Sequence, residues 1–140
     1  MVILDTDHLS IFDQDTIEGF NLGRRLAVLP EEEVAITIVT YEEQMRGWLA
    51  YVARANTPDR QIEAYRKLRL HIERFRRIPL LDYDAKAVAE FERLRQARVR
   101  IGTMDLKIAS IALANNATLL TRNLADFNQV PDLRAEDWSA

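Results

Sequence analysis

Residues Ile101 to Phe127 read IGTMDLKIASIALANNATLLTRNLADF, and this stretch decides the fold. Gly102 gives a flexible approach, Thr103 a hydroxyl able to cap a helix, and Asp105 falls in that helix's first turn. Leu106, Ile108, Ala109, Ile111, Ala112 and Leu113 then form an apolar band too wide for a surface helix, which predicts a largely buried one. Asn115 and Asn116 close it. Ala117 to Leu120 reads as a short interior strand, with Thr121, Arg122 and Asn123 polar at its carboxyl end. A carboxylate opening a buried helix and an amide ending a buried strand are where open α/β sheets place ligands.

Working outward, Val2 to Leu4 is a short β-prone run that ends in Asp5, Thr6, Asp7 and His8, as a central parallel strand with Asp5 at its carboxyl end would. A helical segment runs from there to about Leu29, and Pro30 with three glutamates breaks it. Val34 to Val39, rich in β-branched residues, predicts the second strand. Thr40 is placed to cap the next helix, whose apolar stripe is Tyr41, Met45, Trp48, Leu49 and Val52. Glu42 and Glu43 lie in its first turn, where acidic side chains complement the macrodipole of any helix. Gly47 lies one turn beyond Glu43 and leaves room beside that carboxylate.

Gln61 to Arg77 carries Ile62, Tyr65, Leu68, Ile72 and Phe75 on one stripe, and Pro79 ends it. Leu80 and Leu81 form a minimal third strand, Asp84 caps a helix holding Ala87, Val88, Phe91 and Leu94, and Val130 to Leu133 return to the sheet edge. Strands alternate with helices, so the expected fold is α/β: a three-layer α/β/α sandwich around a central parallel sheet of four or five strands. Residues 1–140 read as one domain, large enough to bury about 68–70 % of the unfolded surface. Function then belongs along the strands' carboxyl ends, where Asp5, Asp7, Glu42 or Glu43, Asp105, Asn123 and Asp126 map.

Composition narrows the chemistry. The chain has no cysteine, which excludes thiol catalysis, thiolate metal sites and disulfides. Its two histidines, His8 and His71, read as turn and surface residues and lack the partners zinc needs. No apolar run approaches the ~18 residues of a membrane span, so the expected location is cytoplasmic. The net charge is −3, yet Arg60 to Arg77 holds seven basic side chains and two acidic ones, as a polyanion-binding surface or a solvated helix face would. Carboxylates gathered in a partly buried cleft repel one another until a divalent cation relieves them. Magnesium or manganese, which need only one or two direct carboxylates plus water and phosphate oxygens, suit such a site and phosphodiester hydrolysis.

Four segments together carry a resemblance: LDTDHLS (Leu4 to Ser10), ITIVTYEEQMRG (Ile36 to Gly47), the stretch from Ile101 to Phe127, and VPDLRAEDW (Val130 to Trp138). In order and spacing they are similar to the PIN-domain ribonucleases, in particular the VapC toxins of bacterial toxin–antitoxin pairs. The resemblance implies a Mg²⁺-dependent endoribonuclease, with Mn²⁺ as a substitute, whose metal carboxylates are Asp5, Glu43 and Asp105. Glu43 is the glutamate of a T-x-x-E-x-x-x-G pattern from Thr40 to Gly47, although Glu42 lies nearer the apolar stripe and Gln44 stands where the family usually has leucine. A fourth polar position falls on Asn123, with Asp126 a near alternative. Asp7 replaces a usual asparagine and is expected to cap a turn. The resemblance also implies an RNA substrate, a homodimer and a cognate VapB-like antitoxin. The competing enzyme is a haloacid-dehalogenase-like phosphatase, since Asp5-Thr6-Asp7 resembles its D-x-D motif with Asp5 as nucleophile and Asp7 as general acid.

Overall fold

The computed structural model describes residues 1–140. Five parallel strands, β1 (Val2–Leu4), β2 (Val34–Thr37), β3 (Leu80–Leu81), β4 (Thr118–Leu120) and β5 (Arg134–Glu136), lie in the order β3-β2-β1-β4-β5. The order reverses between β1 and β4, so the crevice outside their carboxyl ends is the place the topology offers a ligand.

Alternation along β1 and β4 assigns the two faces. Ile3 and Leu119 point into a core shared with α5 (Ala85–Gln96) and α6 (Thr103–Ala114). Val2, Leu4 and Leu120 point the other way, toward α1 (Thr6–Phe12) and α2 (Ile17–Leu26). The expected α/β/α sandwich is therefore what forms, with β1 at its centre. A short α7 (Leu124–Phe127) follows β4 and buries Phe127. No helix is long and apolar enough to cross a membrane.

Several boundaries differ from the sequence reading. The second strand ends at Thr37, and α3 (Ile38–Arg54) begins two residues before Thr40. Thr37 Oγ1 accepts the Thr40 N–H at 3.0 Å, so Thr37 is the cap and Thr40 is buried inside the first turn. The β-branched run spans this junction, and its composition cannot mark it. The segment after Asp5 is two helices. Gly19 lets α2 approach α1, since a Cβ there would stand 2.3 Å from the Gln14 carbonyl oxygen and 2.8 Å from that of Ile11. Gly102, with no side chain to offer, occupies the cap position of α6 that Thr103 was expected to serve. Residues 130–133 form a turn, and the edge strand is Arg134–Glu136.

The helix α4 (Pro58–Phe75) lies antiparallel to α3, as the pairs Tyr41 with Phe75, Trp48 with His71 and Tyr51 with Lys67 require. Its inward stripe is Ala64, Leu68, His71 and Phe75, so the expected stripe is rotated: Ile62, Tyr65 and Ile72 are exposed. Leu49 of α3 is exposed as well. His71, expected on the surface, is 4 % exposed between Tyr41, Trp48 and Phe75.

Candidate active site

Asp5 ends β1 and caps α1 through its side chain, with Oδ1 accepting the His8 N–H at 2.8 Å. It is buried. Burial raises its carboxyl above the ordinary carboxylate range, hydrogen bonds from the His8 amide and Thr121 oppose that, and the charges of Asp7 and Glu43 push it up further. Asp105 lies in the first turn of α6, which runs back toward the start of β4 and so begins at the rim where the strands end. Its carboxyl is also raised, first by burial and then by Glu43, Asp5 and Asp126.

Glu43, one turn into α3, is half-buried and accepts a hydrogen bond from Thr6 Oγ1 at 2.7 Å. Glu42 is exposed and pairs with Arg46 on its own helix, at 2.5 Å, away from the other carboxylates. Of the two candidates in α3, Glu43 is the one that faces Asp5 and Asp105 electrostatically. Gly47 lines a groove with it, and a Cβ on Gly47 would meet nothing within 4 Å.

Asn123 follows β4 and is exposed; its Nδ2 donates to Asp126 Oδ2 at 2.9 Å. Asp126 in turn acts on Asp105, so both candidates for the fourth position lie on one rim, with Asp126 the one that reaches Asp105. Asp7 does not cap a turn: Arg122 Nε donates to its Oδ2 at 2.9 Å. That pairing also leaves Asp7 poorly placed as the general acid of a phosphatase.

Three residues near the site carried no signal in the composition. Thr6 holds Glu43, and Thr121, fully buried at the end of β4, bonds Asp5. His8 was expected in a turn but is 0 % exposed. Its Nε2 accepts the Trp138 N–H at 3.3 Å and lies 3.4 Å from Asp137 Oδ1, while Nδ1 stands 3.7 Å from Asp5 Oδ1 with no hydrogen bond. Burial lowers its pKa. The chain's last residues are thereby tied to the floor beneath Asp5. The sequence clue was positional, since a strand ending in D-T and another ending in T-x-N each place a hydroxyl beside the polar rim.

No lysine or arginine pairs with Asp5 or Asp105, so their mutual repulsion is uncompensated within the chain. Hard carboxylate oxygens without nitrogen or sulfur partners fit a cation of the magnesium type. No group of three or more His, Cys, Asp or Glu side chains is set to hold one ion. A cation would thus take one or two carboxylates directly and complete its sphere from water and phosphate, as magnesium commonly does.

Known proteins sharpen this reading. The PIN-domain family model matches residues 2–133. The chain is 41 % identical over 66 residues to Ribonuclease VapC2 of Rickettsia felis, an alignment spanning 44 % of this chain and about half, 49 %, of that relative. It is 31 % identical over 127 residues to the tRNA(fMet)-specific endonuclease VapC of Shigella flexneri, covering 87 % of this chain and 83 % of the relative. Among solved structures, the VapBC2 complex of Rickettsia felis bound to a DNA fragment from its promoter contains a chain that superposes with a TM-score of 0.72 at 27 % identity, over 99 % of both chains. None of these matches is to a haloacid-dehalogenase-like phosphatase. By its strand order, its acidic rim and these matches, the chain belongs to the PIN-domain family, in its VapC branch.

Proposed function

We propose that this protein is a divalent-cation-dependent endoribonuclease acting as the toxin of a toxin–antitoxin pair. One observation carries the reading: Asp5 after β1, Glu43 in α3 and Asp105 in α6 lie toward the rim beside the β1/β4 crevice, where burial first and then the charges of Glu43 and Asp5 raise the Asp105 carboxyl with no basic partner. The ribonuclease and endonuclease names of the relatives point to the same chemistry.

In this reading Asp5 and Asp105 would hold Mg²⁺, or Mn²⁺ in its place. The bound cation would offset charge on the scissile phosphate and lower the pKa of water. Thr6 fixes Glu43 Oε1 and leaves Oε2 to orient the attacking water or to take its proton. Water adds to phosphorus as the bond to the departing ribose oxygen breaks. Asn123 steadies Asp126 at the same rim. Basic side chains from Arg60 to Arg77, with Arg98 and Arg100, serve the RNA backbone. Arg74 is not among them, since it turns inward to Asp13 and the Leu9 carbonyl.

The partner is a VapB-like antitoxin, consistent with the VapBC complex that shares the fold. A cationic tail reaching the rim would compete for its carboxylates. The exposed Ile62, Tyr65 and Ile72 of α4 and Leu49 of α3 give a homodimer apolar area to cover.

The test is cleavage of RNA by purified protein with Mg²⁺ or Mn²⁺, with EDTA, and in Asp5→Asn and Asp105→Asn. Metal-dependent cleavage should fall at least a hundredfold in each variant, with the fold kept by circular dichroism. Full cleavage in EDTA, or in either folded variant, would refute the assignment.

A further inference from the structure

Beside the acidic rim the α3–α4 hairpin holds a groove of about 380 Å³, lined by Glu43, Gly47, Trp48, Tyr51, Arg54 and Lys67. A second hollow of about 300 Å³ shares Tyr51 and Arg54 with it and adds Arg60 and Glu63. The two form one track from the catalytic rim to the far end of the hairpin. Glu43, Gly47, Tyr51 and Arg54 recur at spacings of four, four and three, a single stripe of α3 about 16 Å long at 1.5 Å per residue. None of these residues packs into either core beneath the sheet.

We propose that this track binds single-stranded RNA next to the scissile phosphate, with an unpaired base on the Trp48–Tyr51 aromatic pair and flanking phosphates on Arg54, Lys67 and Arg60. The inference rests on the nuclease reading and names the residues of the α3–α4 hairpin that hold the strand beside that site. Charge runs in the required order. Glu43 marks the cation end, and the basic side chains begin beyond the glycine gap. Glu63, the acidic residue of the outer hollow, is already bonded to Arg66 on its own helix at 2.7 Å.

The aromatic pair makes the track more than a basic surface. Trp48 and Tyr51 meet edge to face with centroids 5.6 Å apart, and Lys67 Nζ lies 5.4 Å from the Tyr51 centroid and 3.4 Å from its hydroxyl oxygen. A base stacking on Tyr51 takes the place of that ammonium and frees it for the adjoining phosphate. Paired bases expose no face for this, so a duplex cannot use the subsite.

The test measures binding of a short single-stranded RNA, and of the same sequence closed as a duplex, to the full chain carrying Asp105→Asn, which keeps the RNA intact. Adding Tyr51→Leu should weaken single-strand binding at least tenfold and duplex binding less than twofold, while Tyr51→Phe restores it. Arg54→Ala, at an exposed position, should weaken single-strand binding and lower the slope of log affinity against log salt by about one. Unchanged single-strand binding in folded Tyr51→Leu and Arg54→Ala, with the native chain still cleaving RNA, overturns the subsite and leaves the nuclease reading standing. Equal losses for strand and duplex overturn stacking. A native chain that cleaves no RNA with either metal fails the nuclease reading, and the subsite falls with it unless Tyr51-dependent single-strand binding persists.

Discussion

His71 shows how much a single residue decides here. Its ring is enclosed by Tyr41, Trp48 and Phe75, Nε2 has no hydrogen-bond partner, and burial, with a smaller push from Arg74, lowers its pKa to about 4. The unfolded chain binds this proton near pH 6.5, whereas the folded one refuses it until about 4. Between those values the unfolded state holds more protons, so stability falls as pH is lowered, by roughly 2–3 kcal/mol across the window. His71→Phe should flatten that part of the stability curve in urea titrations at pH 7, 5.5 and 4.5, and an unchanged acid slope would contradict the assignment. The sequence did not reveal His71 because α4 carries two adjacent apolar stripes, and Ile62, Tyr65 and Ile72 made the more hydrophobic one. The wheel locates a stripe; only packing against α3 selects which stripe is inside. By contrast Asp5, Glu43 and Asp105 drew attention in the sequence because each falls where a strand ends or a helix is beginning on the same side of the sheet, even though Asp5 also caps α1 and a carboxylate near a helix start also suits the helix dipole.

At the scale of the element, α3 carries the sharpest consequences. The sequence placed its cap at Thr40, three residues late, since a run of β-branched side chains is equally content as strand or first helical turn. Thr37→Ala removes the hydroxyl that accepts the Thr40 amide and should cost about 1 kcal/mol in chemical denaturation. Should it cost nothing, a helix boundary at Thr37 would be misplaced. Gly47 makes the opposite trade. A helical glycine facing open space is destabilising by roughly 0.5–1 kcal/mol against alanine, so Gly47→Ala should stabilise the fold by about that amount. Gly47→Leu should fill the groove beside Glu43 and reduce RNA cleavage at least tenfold without unfolding the protein. A Gly47→Leu variant as active as the native chain would mean that substrate passes elsewhere. The other misjudged boundaries share a cause: the break between α1 and α2 and the position of β5 depend on close approach and edge pairing, which local composition does not encode.

For the whole molecule, the sheet order converts distant sequence positions into one rim, and the rim stores a cost. Reading alternating strands and helices was enough to foresee the layers and the parallel sheet, since both follow from hydrophobic periodicity, and the proposed site was then put along the strands' carboxyl ends. It could not foresee that Thr6, Thr121 and His8 close the floor beneath the carboxylates, because those contacts join α1 to α3, the end of β4 to the end of β1, and α1 to the segment after β5, residues far apart in the chain. The resulting site concentrates like charge with no internal cation, so the fold should gain stability from a divalent ion in proportion to occupancy. At ten times its dissociation constant an ion bound only by the native state adds RT ln 11, about 1.4 kcal/mol, which for a chain of this size raises the melting temperature by roughly 3–6 °C. Mn²⁺ titrated into the native protein should produce that shift. In Asp105→Asn the melting temperature in EDTA should instead start higher, because one repelling charge is gone, and Mn²⁺ should move it by less than half as much. Equal shifts in the two proteins would place the ion away from Asp105 and detach the acidic rim from the chemistry assigned to it.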